Sequence, residues 1–188
     1  MSNDQIFIVP YDKTMDIDAG FIKQKHYNNI WMKYNDIGIY VDKEIADKSM
    51  VMQQLIPYTL IKNDKGEFFT ATFKQDDKVI ISMGFGDNII QQDGILEPLF
   101  KGAVRTLFDD IMMEDLQPMK FVGTVRDMIS NPKFLGYVFL MNIVDDNIKL
   151  LNENLEGKWM SKDELINNYG KLEAWSKHIV NYMVDNPL

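Results

Sequence analysis

The stretch "EPLFKGAVRTLFDDIMM", residues 97–113, gathers ionisable side chains at helical spacing: Glu97, Arg105 eight residues later, and the adjacent acids Asp109 and Asp110. Steps of three and four residues bring side chains together on a helix, so Arg105, Thr106, Asp109 and Asp110 are expected to share a face. Neighbouring carboxylates repel, and they gain most when a divalent cation or a guanidinium lies between them. Magnesium suits such a pair, because it prefers oxygen ligands, keeps several waters and is commonly shared with substrate phosphates. Adjacent acids on a surface helix can also be merely solvated. Here they fall near the helix C-terminus, where the macrodipole disfavours negative charge by roughly 0.3–1 kcal/mol. Their placement therefore hints at a reason other than stability.

The elements that must position this helix can be read around it. Leu99, Val104, Leu107 and Ile111 are expected to anchor it to a core. Upstream, "QIFIVPY" (5–11) and "DIGIYV" (36–41) read as strands, with "HYNNIWMKY" between them as a helix or loop. "QLIPYTLIKNDKGEFFTATF" reads as two strands turning at Asn63-Asp64-Lys65-Gly66, and "KVIISMGFG" as a third running into a glycine-rich bend. Downstream, "MKFVGTV" and "FLGYVFLMNIV" read as strands around a turn at Asn131-Pro132. Ser161 and Glu164 form a capping box flanked by Met160 and Leu165, and Leu172, Trp175, Ile179 and Met183 mark an amphipathic terminal helix. This order predicts an α+β fold, an α/β/α sandwich whose mixed sheet carries a central helix and a C-terminal helix.

Composition narrows the function. The 188 residues suit a single domain over 1–188, with 1–50 as an N-terminal elaboration and 51–188 as the core. Acids outnumber Lys plus Arg by 28 to 20 and no basic cluster stands out, which disfavours binding to nucleic acid. The absence of Cys excludes disulfides, thiol nucleophiles and thiolate zinc sites, and His26 and His178 stand far apart. The first residues lack a basic segment followed by an apolar one, and no apolar run approaches bilayer length. The expectation is a soluble cytoplasmic protein without a membrane partner.

The segment resembles the Nudix box of the Nudix hydrolase superfamily, in which Glu, seven residues, Arg-Glu, an apolar residue, any residue and Glu-Glu follow a leading Gly. Glu97, Arg105, Leu107 and the acids at 109 and 110 fall in register. "QLIPYTLI" (54–61), "SMGFGDN" (82–88), Ser130-Asn131-Pro132 and "LEAWS" (172–176) are similar, in the same order, to a bacterial Nudix subfamily. The departures are Gln91 for the leading Gly, Thr106 for the Glu after Arg, Asp109 and Asp110 for the Glu pair, and Met112 for the second Gly. In the subfamily a Gly-Gly-His type segment stands where this chain has Gly86-Asp87-Asn88, and Phe134 stands where a His is often found.

The resemblance implies magnesium (Mg2+) or manganese (Mn2+) held by Asp109 and Asp110, catalytic roles for Arg105 and Asp110, and Glu97 and Arg105 as residues that brace the loop and helix. It implies cleavage of a diphosphate linkage in a nucleoside-diphosphate-like molecule. Because Thr106 cannot ligate as a carboxylate, the alternative is a Nudix-fold protein without turnover that binds a nucleotide-like ligand or a protein partner. A homodimer is one state the superfamily adopts. Gly84 and Gly86 can bring backbone amides to a phosphate, or simply form a turn or bulge. Asp87, Asp93 and Glu114 are further oxygen donors or solvated loop acids. Trp31, Tyr34 and Tyr58 are base-stacking candidates or buried packing, while Trp159 and Trp175 read as core.

Overall fold

Alternation along two long strands sets the architecture, which we describe from a computed structural model covering residues 5–24, 34, 36–94, 97–113, 117–144 and 146–188. Strands β4 (Met52–Asn63) and β10 (Phe134–Ile143) run parallel, with Leu55 beside Leu135 and Leu60 beside Leu140. Successive side chains point to opposite faces. Leu55, Ile61, Leu135, Tyr137, Phe139 and Met141 enter the core on one side. Tyr58, Leu60, Val138 and Leu140 enter it on the other.

A sheet apolar on both faces needs cover on both. Helix α2 (Pro98–Asp110) covers the first face with Leu99, Ala103 and Leu107. Helix α4 (Ala174–Asp185) covers the second with Ile179, Val180 and Met183. The result is the expected α+β sandwich.

Among the described residues the main sheet has ten strands, and β4 is its hub. Strands β5 (Phe68–Gln75) and β12 (Glu156–Met160) lie to one side, with β6 (Lys78–Ser82) along β5. Strands β10, β9 (Met119–Arg126) and β2 (Gly20–Lys23) lie to the other. Further strands pair antiparallel with β4: β1 (Gln5–Pro10), which carries β3 (Ile39–Asp42), and β7 (Gly84–Gly86). The short helix α1 (Lys43–Lys48) follows β3.

Local chemistry fixes several joints. Asn63 Oδ1 accepts the Glu67 N–H at 2.8 Å, and Gly66 takes φ +85°, which closes the β4–β5 turn. Helix α3 (Lys162–Asn167) starts with the expected capping box, in which Ser161 and Glu164 bond reciprocally. The terminal helix begins at Ala174, so Leu172 packs from just before it.

Two expectations about the central helix change. It ends at Asp110 rather than at 113, because Ile111–Met112 become an extended strand, β8, paired with β11 (Lys149–Leu150). Its buried face is Pro98, Leu99, Gly102, Ala103, Thr106 and Leu107, whereas Val104 is half-buried. Thr106 thus turns inward, away from exposed Asp109. His26, Trp31, Glu114 and most of "HYNNIWMKY" lie outside the described residues. Among the described residues no helix is long and apolar enough to cross a membrane.

Candidate active site

Arg105, on α2, reaches back to the loop between β7 and the helix. Its Nε donates to Asp93 Oδ1 at 3.0 Å, and its Nη2 to Asp93 Oδ2 at 3.2 Å and to the Asn88 carbonyl at 2.7 Å. Asp93 is buried and also accepts the Ile90 N–H at 2.9 Å. It is therefore a structural acid, fully engaged by its neighbours. Arg105 Nη1 lies 3.5 Å from Asp109 Oδ2, the i,i+4 pair expected on a helix. Glu97 caps the helix with left-handed backbone (φ +53°), and its carbonyl accepts the Lys101 N–H. The partner bracing Arg105 is Asp93, and Glu97 marks where the chain turns into the helix.

Asp110 occupies the inner edge of the helix end. Burial first, and then the charges of Asp109 and Asp87, push its carboxyl pKa above the ordinary value, while Arg105 acts in the opposite sense. Burial works against the charge of Arg105, but the Asp93 hydrogen bond and the charges of Asp93, Asp87 and Asp109 together outweigh it and hold the guanidinium pKa above its ordinary value. That cation is already spent on Asp93 and Asn88. Among the described residues the acids at the end of α2 share Arg105 with Asp93, the guanidinium lying 3.5 Å from Asp109 and 3.0 Å from Asp93.

Among the described residues no group of three or more His, Cys, Asp or Glu side chains is arranged to hold a metal ion. The donor set does not fit a closed cage. It does fit a hydrated magnesium or manganese ion, which takes one or two carboxylates and leaves its other positions to water and phosphate oxygens. Asp110 and Asp109 would hold it, with Asp87 within electrostatic reach. Thr106, 3% exposed, has a buried hydroxyl with no hydrogen-bond partner.

Gly84 and Gly86 lie on β7, flat against β4. A Cβ on Gly84 would fall 2.4 Å from the Tyr58 ring, and one on Gly86 would fall 2.5 Å from the Pro57 carbonyl oxygen. Close backbone approach is what demands glycine there. Gly86 also borders a cleft of about 550 Å³, lined by Lys43, Asp87, Asn88, Asp127, Glu173 and Trp175 among others. Gly84 is buried and does not line it.

The sequence reading missed several of these cleft residues. Asp127 caps the turn before Asn131-Pro132, accepting from the Ile129 and Ser130 backbones and from the Ser130 hydroxyl. His178 Nε2 lies 3.6 Å from it. Glu173 accepts N–H bonds from Trp175 and Ser176 at the start of α4 and the Tyr58 hydroxyl at 2.8 Å. An acid two or three residues before a turn or helix was the available signal.

Tyr58 is buried, and burial, with Glu173 beside it, pushes its hydroxyl pKa well up. It packs edge-on to Trp175 at 5.3 Å. Tyr34 is buried too, so neither tyrosine can stack on a ligand. Trp175, expected in the core, is partly buried and forms cleft wall; Trp159 packs on Phe69 at 5.1 Å.

No protein-family model matches the sequence, and no curated protein does. Solved structures do. Tm1382, assigned provisionally as a Nudix hydrolase, superposes with a TM-score of 0.83 at 18% identity, over 97% of this chain and 99% of its own. A MutT protein from Methanosarcina mazei Go1 gives 0.53 at 20% identity, over 71% of this chain and 94% of its own. A bifunctional NMN adenylyltransferase/ADP ribose pyrophosphatase from Francisella tularensis, complexed with AMP and a Mn ion, gives 0.53 at 13% identity, over 76% of this chain and 44% of its own. With a helix on each face of its mixed sheet and a structural likeness spanning nearly the whole chain, this protein has the Nudix fold.

Proposed function

We propose that the chain is a divergent Nudix-type hydrolase that cleaves a diphosphate linkage in a nucleoside-diphosphate-like small molecule with a magnesium or manganese ion. One observation carries the reading. Half-buried Asp110 feels the charges of Asp109 and of Asp87, the latter a cleft residue, while the neighbouring guanidinium is bound to Asp93. Such a carboxylate group gains most from a cation shared with a phosphate. The Francisella protein, named for ADP ribose pyrophosphatase activity and complexed with AMP and Mn, supports the ligand class. A net charge of −8 disfavours a nucleic-acid substrate.

When bound, the ion polarises the diphosphate and lowers the pKa of the attacking water. The chain's residues arrange the rest. Asp110 and Asp109 present carboxylate oxygens at the end of α2, and Arg105 pins the loop bearing Asp87 and Asn88 to that helix. Trp175 and Ile56 give the cleft apolar wall.

Thr106 favours a second reading, a Nudix fold that binds such a ligand without turnover. It stands where the superfamily's box carries Glu, and a buried hydroxyl cannot replace a carboxylate as a ligand or base. A panel of nucleoside diphosphate derivatives, assayed chromatographically for cleavage into a nucleoside monophosphate and a second phosphomonoester with magnesium, manganese or chelator, separates the two. Metal-dependent cleavage supports the hydrolase; ligands that raise the melting temperature without cleavage support the binding protein.

A further inference from the structure

Lys43, the first residue of α1, is exposed and borders the same cleft. Its Nζ donates to Asn88 Oδ1 at 2.7 Å. Asn88 Nδ2 donates to Gln54 Oε1 at 2.7 Å, and Gln54 Nε2 donates to Asp47 Oδ1 at 2.9 Å. Asn88 and Gln54 are buried, at 4% and 0% exposure. A relay of buried amides thus runs from α1 through β4 and the β7 loop, and ends on the lysine.

Burying two amides is costly unless their bonds are made, so the relay fixes their geometry. It also leaves Lys43 facing a neutral oxygen. Among the described residues Lys43 makes no ion pair, and Asn88 Oδ1 is the one acceptor that its three donors meet. It is the one Lys or Arg among the described residues that line the cleft, whose other charged lining residues are Asp87, Asp127 and Glu173. An anion entering that acidic cleft needs a fixed cation, and a lysine ammonium is a compact one.

We infer that Lys43 is a phosphate-binding residue, whose ammonium contacts a phosphoryl oxygen of the ligand in the cleft. The inference rests on the proposed function for its ligand class alone and requires no turnover. Inorganic pyrophosphate is the probe, with binding measured by calorimetry on the full chain in magnesium and again in chelator. Lys43→Met should weaken binding about tenfold or more, the loss expected for one charge-assisted hydrogen bond. Lys43→Arg should stay within about threefold of the wild type. Asn88→Asp leaves Lys43 in place but sets a carboxylate against it, and should weaken binding as Lys43→Met does. Equal affinity of Lys43→Met and wild type, or no pyrophosphate binding by the wild type in either condition, would overturn the inference. Lys43-dependent binding without hydrolysis of any substrate would sink the hydrolase reading and leave this one standing.

Discussion

Arg105 grips Asp93 through two nitrogens, at 3.0 and 3.2 Å, across twelve residues of sequence. That contact joins the helix carrying Asp109 and Asp110 to the loop carrying Asp87 and Asn88. Because Asp93 is buried, with its side chain 3% exposed, removing it leaves a half-buried guanidinium without its main partner. Asp93→Ala should destabilise the fold by about 3 kcal/mol, read from the denaturant midpoint at unchanged slope. A loss under about 0.5 kcal/mol would mean that the contact does not hold the loop to the helix.

Asp110 ties stability to pH, and on the proposed function to metal as well. Its folded pKa is raised by burial and by Asp109 and Asp87, whereas the unfolded chain titrates at the ordinary value. Between those two values folding takes up a proton, so its contribution falls as pH rises and the penalty is complete above the folded pKa. Asp110→Asn lacks that penalty. In chelator it should melt higher than the wild type at pH 7, with the advantage gone below the ordinary carboxylate range. Magnesium at a hundred times its dissociation constant should stabilise the wild type by about 2.7 kcal/mol and leave Asp110→Asn unmoved. Equal melting in chelator and equal gains with magnesium would remove Asp110 from the site.

Among the described residues the buried hydroxyl of Thr106 meets no hydrogen-bond partner, which leaves its desolvation cost without an offset from them. Thr106→Val keeps the shape and removes the hydroxyl. Its midpoint should be unchanged or up by about 1 kcal/mol. A loss of about 1 kcal/mol or more would show that the hydroxyl is bonded in solution.

Gly86 faces the Pro57 carbonyl, a backbone atom that cannot swing aside. Gly86→Ala should cost about 1–3 kcal/mol through overpacking of β7 on β4. Wild-type stability would mean that the strand pair has room the structure does not show.

What was legible in the sequence was what local chemistry dictates. The β4–β5 turn followed from Asn63, Asp64 and Gly66, the start of α3 from Ser161 and Glu164, and the strands β4 and β10 from their apolar and β-branched runs. The end of α2 was not legible, because Ile111 and Met112 leave the helix for a partner, β11, nearly forty residues away. Asp93 was indistinguishable from a solvated loop acid until the loop folded back on Arg105. Thr106 was placed with Arg105 by spacing, yet it lies 100° around the helix from Arg105, and that angle turns it into the core. Lys43 and Asn88 are 45 residues apart and meet only through the pairing of β1, β3 and β4.

On the proposed function the acids ending α2 hold a cation that serves hydrolysis. The test compares formation of nucleoside monophosphate from nucleoside diphosphate derivatives by the wild type and by the Asp109→Ala/Asp110→Ala variant, in magnesium, manganese and chelator. The account predicts turnover by the wild type that needs metal and is lost in the double variant. Turnover that survives the double substitution, or a wild type inactive on every substrate with either metal, would contradict it.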